Sequence, residues 1–221
     1  NGIFKKITHF YPDGVNTMVI GVTNVGKSSV INRLLGKRIA TVSKYPGTTI
    51  KNTLNMIPFT NIGLYDTPGL IPEGRASDLL CDSCAQKIIP AGEISRKTFK
   101  AKYDRIIMID NLVKIRVLND EEVKPIFAIY AAKDVKFHET TIERAKELEE
   151  GNFFDIPCEC CRDEYNKHKK ITKTLTIKTG EELVFKGLGW VSVKRGPLKI
   201  EVTLAEKIEI SIRKAFIKPR R

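Results

Sequence analysis

The stretch Gly21-Val22-Thr23-Asn24-Val25-Gly26-Lys27-Ser28-Ser29 constrains this chain more than any other. A glycine, four residues, then Gly-Lys-Ser is the spacing of a phosphate-binding loop. The glycines let the backbone wrap closely round a phosphate, and successive N–H groups point inward at its oxygens. The helix that follows adds the positive end of its dipole. Lys27 can reach the β- and γ-phosphates of a nucleotide, and the Ser28 hydroxyl can ligate Mg²⁺. The flanks have the required order. TMVIGV (17–22) predicts a buried strand feeding the loop. KSSVINRLLG (27–36) predicts a helix with Val30, Ile31, Leu34 and Leu35 on one face and Gly36 at its end.

The second half of such a site follows. TLNMIPF (53–59) and IGLYD (62–66) predict a hairpin about Thr60-Asn61. Its second strand ends in Asp66-Thr67-Pro68-Gly69. An aspartate at the carboxyl end of a buried strand supports the Mg²⁺ shell, and the Gly69 N–H can contact the γ-phosphate. The intervening ATVSKYPGTTI (40–50) is polar and aperiodic, and reads as a loop.

Together, GVTNVGKSS, PGTT and DTPG resemble the translation-factor-related GTPases. The resemblance implies a GTP/GDP site on Thr23, Asn24, Val25, Gly26, Lys27, Ser28, Ser29, Thr48, Thr49, Asp66 and Gly69. It implies Lys27, Thr49, Asp66 and Gly69 as the catalytic set. Thr49 matches the switch threonine that completes the Mg²⁺ shell beside Ser28, with Asp66 in the outer shell. Leu70 stands where Ras-like enzymes carry a water-positioning glutamine, so hydrolysis is expected by another route. Asn24 resembles the asparagine that holds K⁺ in potassium-activated members. Its other reading is an ordinary loop residue.

No guanine-reading N-K-x-D follows DTPG. Lys133-Asp134 has the wrong spacing, and Asn166-Lys167 continues into His168-Lys169. In circularly permuted GTPases that motif precedes the phosphate loop. LIPEGRASDLL (70–80), KIIPAGEISRKTFK (87–100) and VFKGLGWVSV (184–193) resemble the YqeH family of permuted GTPases. A chain that opens on Asn1 is then expected to lack the N-terminal zinc segment and guanine motifs of that family. The expected fold is α/β: an incomplete, circularly permuted P-loop GTPase sheet over 1–90, then a mostly antiparallel β domain with one or two helices over 91–221. DRIIMID (104–110), LVKIRVLN (112–119) and PIFAIYAA (125–132) read as strands of that domain, and the last quarter alternates apolar and polar residues. Thr140-Thr141-Ile142-Glu143 predicts a capping box opening the helix IERAKELEE, closed by Gly151.

The composition, 42% hydrophobic and 29% charged, excludes a disordered chain. No apolar run reaches membrane-span length and no secretory signal is visible, so a cytoplasmic protein is expected. Five cysteines in that setting are free thiols or metal ligands. Cys81-x-x-Cys84 and Cys158-x-x-Cys161 have the spacing of zinc-gripping pairs, with Cys160 spare. A net charge of +12 favours a polyanionic partner, or else a merely solvated basic surface. Lys97, Phe99, Lys100, Lys102 and Tyr103 form one basic-aromatic cluster, and Lys186, Trp190, Lys194 and Arg195 another. A third basic group, Lys214, Lys218, Arg220 and Arg221, ends the chain. Trp190 suits a core better than an exposed stack. The YqeH resemblance implies a GTP-hydrolysing switch in small-ribosomal-subunit assembly, with ribosomal RNA or a pre-ribosomal particle as partner. The alternatives are an RNA-binding scaffold with a relic nucleotide site and a triphosphatase without base preference.

Overall fold

Apolar residues spaced for one helix face or one strand face dictate where each element turns inward. The computed structural model describes residues 2–22, 26–37, 53–70, 72–90, 92–100, 102–120 and 122–216. The chain forms two compact units, residues 1–72 and 73–221.

The first unit contains α1 (Gly2–Phe10), β1 (Val15–Val19), α2 (Lys27–Leu35), β2 (Thr53–Met56) and β3 (Ile62–Asp66). The sheet order is β1-β3-β2. β1 pairs parallel with β3, and β2 antiparallel with it. The predicted hairpin is therefore present. The predicted strand 17–22 starts two residues earlier and ends at Val19; Val22 makes an isolated parallel bridge to Leu70. Ile31 and Leu35 of α2 pack on Ile62 and Leu64 of β3, with Leu34 at the margin. Val30, expected on that face, is exposed. One turn of helix separates it from Leu34, but the apolar stripe is narrower than four residues and centres on Ile31 and Leu35.

The second unit carries two five-stranded antiparallel sheets. One has the order β13-β10-β11-β7-β4, from β4 (Ile94–Lys100), β7 (Ile126–Ala132), β10 (Glu181–Phe185), β11 (Gly189–Arg195) and β13 (Ile210–Lys214). The other has the order β8-β5-β6-β12-β9, from β5 (Ile106–Ile109), β6 (Val113–Val117), β8 (Phe137–Thr140), β9 (Lys170–Ile177) and β12 (Leu198–Ala205). Alternation places every second residue inward. Phe127, Ile129, Leu183, Phe185, Val191 and Val193 of the first sheet share one core with Ile107, Ile115, Val117, Ile200 and Val202 of the second. Ile106 and Met108 face the other way and pack on Ala145 and Leu148 of α4 (Ile142–Glu150). Strands β4 and β8, and helix α5 (Glu159–Asn166), were not legible as elements. β4 has only Phe99 buried, β8 only Thr140, and α5 mixes charges with cysteines.

Two expectations change here. Residues 73–90, expected with the nucleotide unit, belong to the second unit. Ala76 of a 3-10 turn (Ala76–Leu79) and Cys84 and Ile88 of α3 (Asp82–Ile88) lie in its core. Burying those apolar side chains outweighs their sequence proximity to DTPG. The capping box is absent at Thr140. Thr141 caps α4 instead, accepting the Arg144 N–H at 3.3 Å, so Glu143 falls one position short of closing a box.

The turn between β5 and β6 yields a prediction. Asp110 is fully buried at φ 44°, a left-handed conformation that Asn and Asp tolerate. Its Oδ2 accepts the Lys136 N–H at 2.9 Å, while the buried Oδ1 has no partner among the described residues. Burial raises the carboxyl from 3.8 to about 7, against the lowering effect of the Lys136 N–H and charge. Between those values the folded chain holds a proton that the unfolded chain has lost. Stability at this site therefore falls as pH rises from about 4 to about 7, and is level beyond. Asp110→Asn keeps the backbone conformation and removes the charge. Urea unfolding of both proteins across this range is expected to show the variant gaining on wild type as pH rises; a constant difference would contradict the assignment.

Candidate nucleotide site

The strand–loop–helix order sets the site. Gly26 takes φ 96°, with open space where a Cβ would stand. That conformation favours glycine and lets the chain turn sharply into α2. The helix has no side-chain cap and no acidic residue in its first turn. Its first N–H groups thus keep their attraction for an anion. Lys27 Nζ donates to the Val22 carbonyl at 2.9 Å, back across the loop. The Ser28 hydroxyl donates to Asp66 Oδ2 at 3.0 Å, across 38 positions of sequence.

Asp66 ends β3 and is 3% exposed. Among the described residues, its buried Oδ1 has no hydrogen-bond partner. A buried carboxylate beside a serine hydroxyl is a donor set suited to a hard divalent cation and its waters. Thr67 Oγ1 donates to the Val19 carbonyl at 2.8 Å, and the Leu70 N–H to the Gly21 carbonyl at 3.0 Å. These bonds, with the Val22–Leu70 bridge, lay DTPG alongside the start of the phosphate loop. Sequence reasoning missed both ties; a threonine directly after the strand-ending aspartate was their only signal.

Thus Gly26, Lys27, Ser28, Asp66 and Gly69 fall in one region of the first unit, whereas Ser29 is exposed on α2. Leu70 is 61% exposed, with no polar group to orient water. Thr23, Asn24, Val25, Thr48 and Thr49 lie outside the described residues.

Comparison with known proteins fixes the kind of site. The family model described as 50S ribosome-binding GTPase matches residues 16–131, just over half the chain. The model described as YqeH-like, C-terminal matches 124–216. The chain belongs to the YqeH family of GTPases. Among curated relatives, the uncharacterized protein YqeH of Bacillus subtilis (strain 168) is 27% identical over 97% of this chain and 60% of its own length. The tRNA modification GTPase MnmE of Thermoanaerobacter sp. (strain X514) is 33% identical over 79% of this chain and 35% of its own length. The Large subunit GTPase 1 of Schizosaccharomyces pombe is 42% identical over 104 residues, 44% of this chain and 16% of its own length. This YqeH-family chain spans about three fifths of the length of the Bacillus protein. The match to a GTPase family agrees with the phosphate loop and the strand-ending aspartate beside it.

The YqeH-like C-terminal match covers most of both sheets of the second unit. There the basic-aromatic clusters rearrange. Phe99 is 4% exposed and stacks on Phe127, so it is core and leaves its cluster. Trp190 does the reverse. It lies half-buried on the outer face of its sheet, stacked on Tyr130 at 4.9 Å with planes 7° apart. Arg96 and Lys194 lie over the Tyr130 ring, and Arg213 over those of Trp190 and Phe216. Register decides this. Trp190 opposes Tyr130, and Val191 and Val193 take the inward positions. Tyr130, Arg96 and Arg213 could not be grouped with Trp190 before strand pairing was known. Among the described residues, no helix is long and apolar enough to cross a membrane.

All five cysteines are free thiols gathered in the second unit. Cys81 caps α3 and Cys158 caps α5, which brings the two C-x-x-C pairs together.

Proposed function

We propose that the protein acts as a GTP-hydrolysing switch, converting GTP and water to GDP and phosphate, and works in assembly of the small ribosomal subunit. The observation that carries the triphosphatase reading is the Ser28–Asp66 contact, with a buried Asp66 Oδ1 that has no partner among the described residues. Ser28 and Asp66, with Thr49, would hold Mg²⁺, which when bound screens the phosphate charges. Lys27 leaves the Val22 carbonyl to meet phosphate oxygens, a stronger charge-assisted bond. The uncapped first turn of α2 and the Gly69 N–H orient the γ-phosphate. Asn24 is the candidate K⁺ ligand, supplying charge neutralisation where Leu70 cannot position water.

The permuted arrangement is supported by the bare side of the first unit's sheet. Among the described residues, β1 is an edge strand. Met18, Leu54 and Met56 are about half exposed on the face opposite α2, and Ile20 and Val22 are exposed beyond them. A P-loop sheet carries helices on both faces, so this apolar face fits further strands and helices bearing the guanine-reading residues.

An RNA partner is supported by the +12 net charge and by the Arg96–Tyr130–Lys194–Trp190 face. Arg213 contributes less charge there because it pairs with buried Glu182 at 3.1 Å. Cations track phosphates and aromatic faces accept unpaired bases. The decisive experiment measures phosphate release from GTP and ATP by the intact protein, in K⁺ and in Na⁺. GTP preference and faster turnover in K⁺ are expected; absent hydrolysis overturns the enzyme reading in favour of a scaffold, and equal rates in both cations remove the role of Asn24. Filter binding to ribosomal RNA across salt tests the partner, with a steep loss of affinity expected as salt rises.

A further inference from the structure

We propose that the second unit holds one zinc ion on Cys81, Cys84, Cys158 and Cys161, a site independent of the nucleotide reading. Thiolates at the corners of a tetrahedron round Zn²⁺, each about 2.3 Å from the metal, stand about 3.8 Å apart. Along the path Cys81–Cys158–Cys161–Cys84 the sulfur separations match that edge. Cys81 to Cys158 is 3.6 Å, Cys158 to Cys161 is 3.8 Å, and Cys161 to Cys84 is 3.8 Å. The members of the two pairs are 77 positions apart along the chain. Chance packing of small hydrophobes does not require sulfurs from two distant segments to meet at this spacing.

The backbone joins in. The Cys158 N–H donates to the Cys84 sulfur at 3.3 Å. The first cysteine of the second pair thus supports the last cysteine of the first. Such backbone bonds orient ligand sulfurs and spread their charge.

Cys160 is the rival fourth ligand. Its sulfur lies 3.4 Å from Cys81, and Cys81, Cys158, Cys160 and Cys161 all lie within 4.8 Å of one another. Two observations favour Cys84. Cys160 is 2.9 Å from Cys158, well inside a tetrahedral edge, so both could not bond one ion without separating. Cys160 is also exposed, whereas Cys84 is fully buried and receives a backbone N–H. Four soft sulfurs at this spacing select Zn²⁺ over hard cations, and are too close together to bracket an iron–sulfur cluster. The ion would clamp α3 to α5 and so fix residues 81–88 in the second unit.

The test uses the 221-residue chain, purified under reducing conditions without added zinc. Elemental analysis is expected to find about one zinc per chain. Dithionitrobenzoate is expected to titrate Cys160 readily and the other four thiols only after chelation, which needs no variant to fold. Cys160→Ser keeps the metal, whereas Cys81→Ser, Cys84→Ser, Cys158→Ser and Cys161→Ser lose it. A zinc-free chain whose five thiols all react without chelator overturns the site. Loss of zinc from Cys160→Ser with retention in Cys84→Ser overturns the ligand assignment.

Discussion

Asp66→Asn is expected to lower GTP hydrolysis by the intact protein about 10–100-fold, the range typical of removing a support of a metal ligand shell. Asp66 already satisfies one oxygen with the Ser28 hydroxyl at 3.0 Å. The asparagine carbonyl can keep that bond, so the loop and α2 retain their place. What changes is the other oxygen, which is buried with no partner among the described residues of the wild type. There the variant puts an N–H group with partial positive charge, facing the position a cation would occupy. The volume hardly changes, so thermal unfolding is expected to stay within about 1 kcal/mol of wild type. A large fall in stability would mark Asp66 as structural, and unchanged hydrolysis would remove it from the site.

Phe127→Ala should act in the opposite way, on the fold and not on the phosphates. Phe127 is fully buried near the start of β7 and stacks on Phe99 at 5.6 Å. It lies among the side chains that both sheets of the second unit share. Truncation removes the transfer energy of the ring and leaves a cavity that surrounding β-structure closes poorly. Such changes cost about 3–5 kcal/mol. Domains of this size have only about 5–15 kcal/mol in total, so the second unit is left marginal at best. Urea unfolding followed by Trp190 fluorescence reads this unit directly, because Trp190 is the chain's single tryptophan. A loss below about 1 kcal/mol would contradict the shared-core description.

The contrast between these residues explains how much the sequence revealed. Gly26, Lys27, Ser28 and Asp66 were legible because a phosphate loop is local. Its chemistry needs fixed residue types at fixed spacing, and an aspartate at the end of an apolar strand completes it. The hairpin Thr53–Asp66 was legible for the same reason. Thr67 and Leu70 were not, since their partners Val19 and Gly21 lie nearly 50 positions away. In the second unit, alternation located most strands but not their order. β12 lies between β6 and β9, and β7 between β11 and β4, pairings with no local signal. Register then moved Phe99 inward and Trp190 outward, reversing both expectations. The boundary near residue 90 was misplaced because burial of Ala76, Cys84 and Ile88 is a tertiary effect. The cysteine spacing suggested two pairs; their convergence, and the role of Cys160 as neighbour, needed the fold.

The central claim is that Ser28 and Asp66 form the metal-dependent half of a triphosphate site. It is tested most directly by titrating the intact protein with GTP, with and without Mg²⁺, in wild type and Asp66→Asn. Mg²⁺ is expected to tighten binding to wild type about 10-fold or more, and Asp66→Asn to lose most of this coupling while still binding GTP without metal. Equal affinity with and without Mg²⁺ in wild type, or full coupling in the variant, would contradict it.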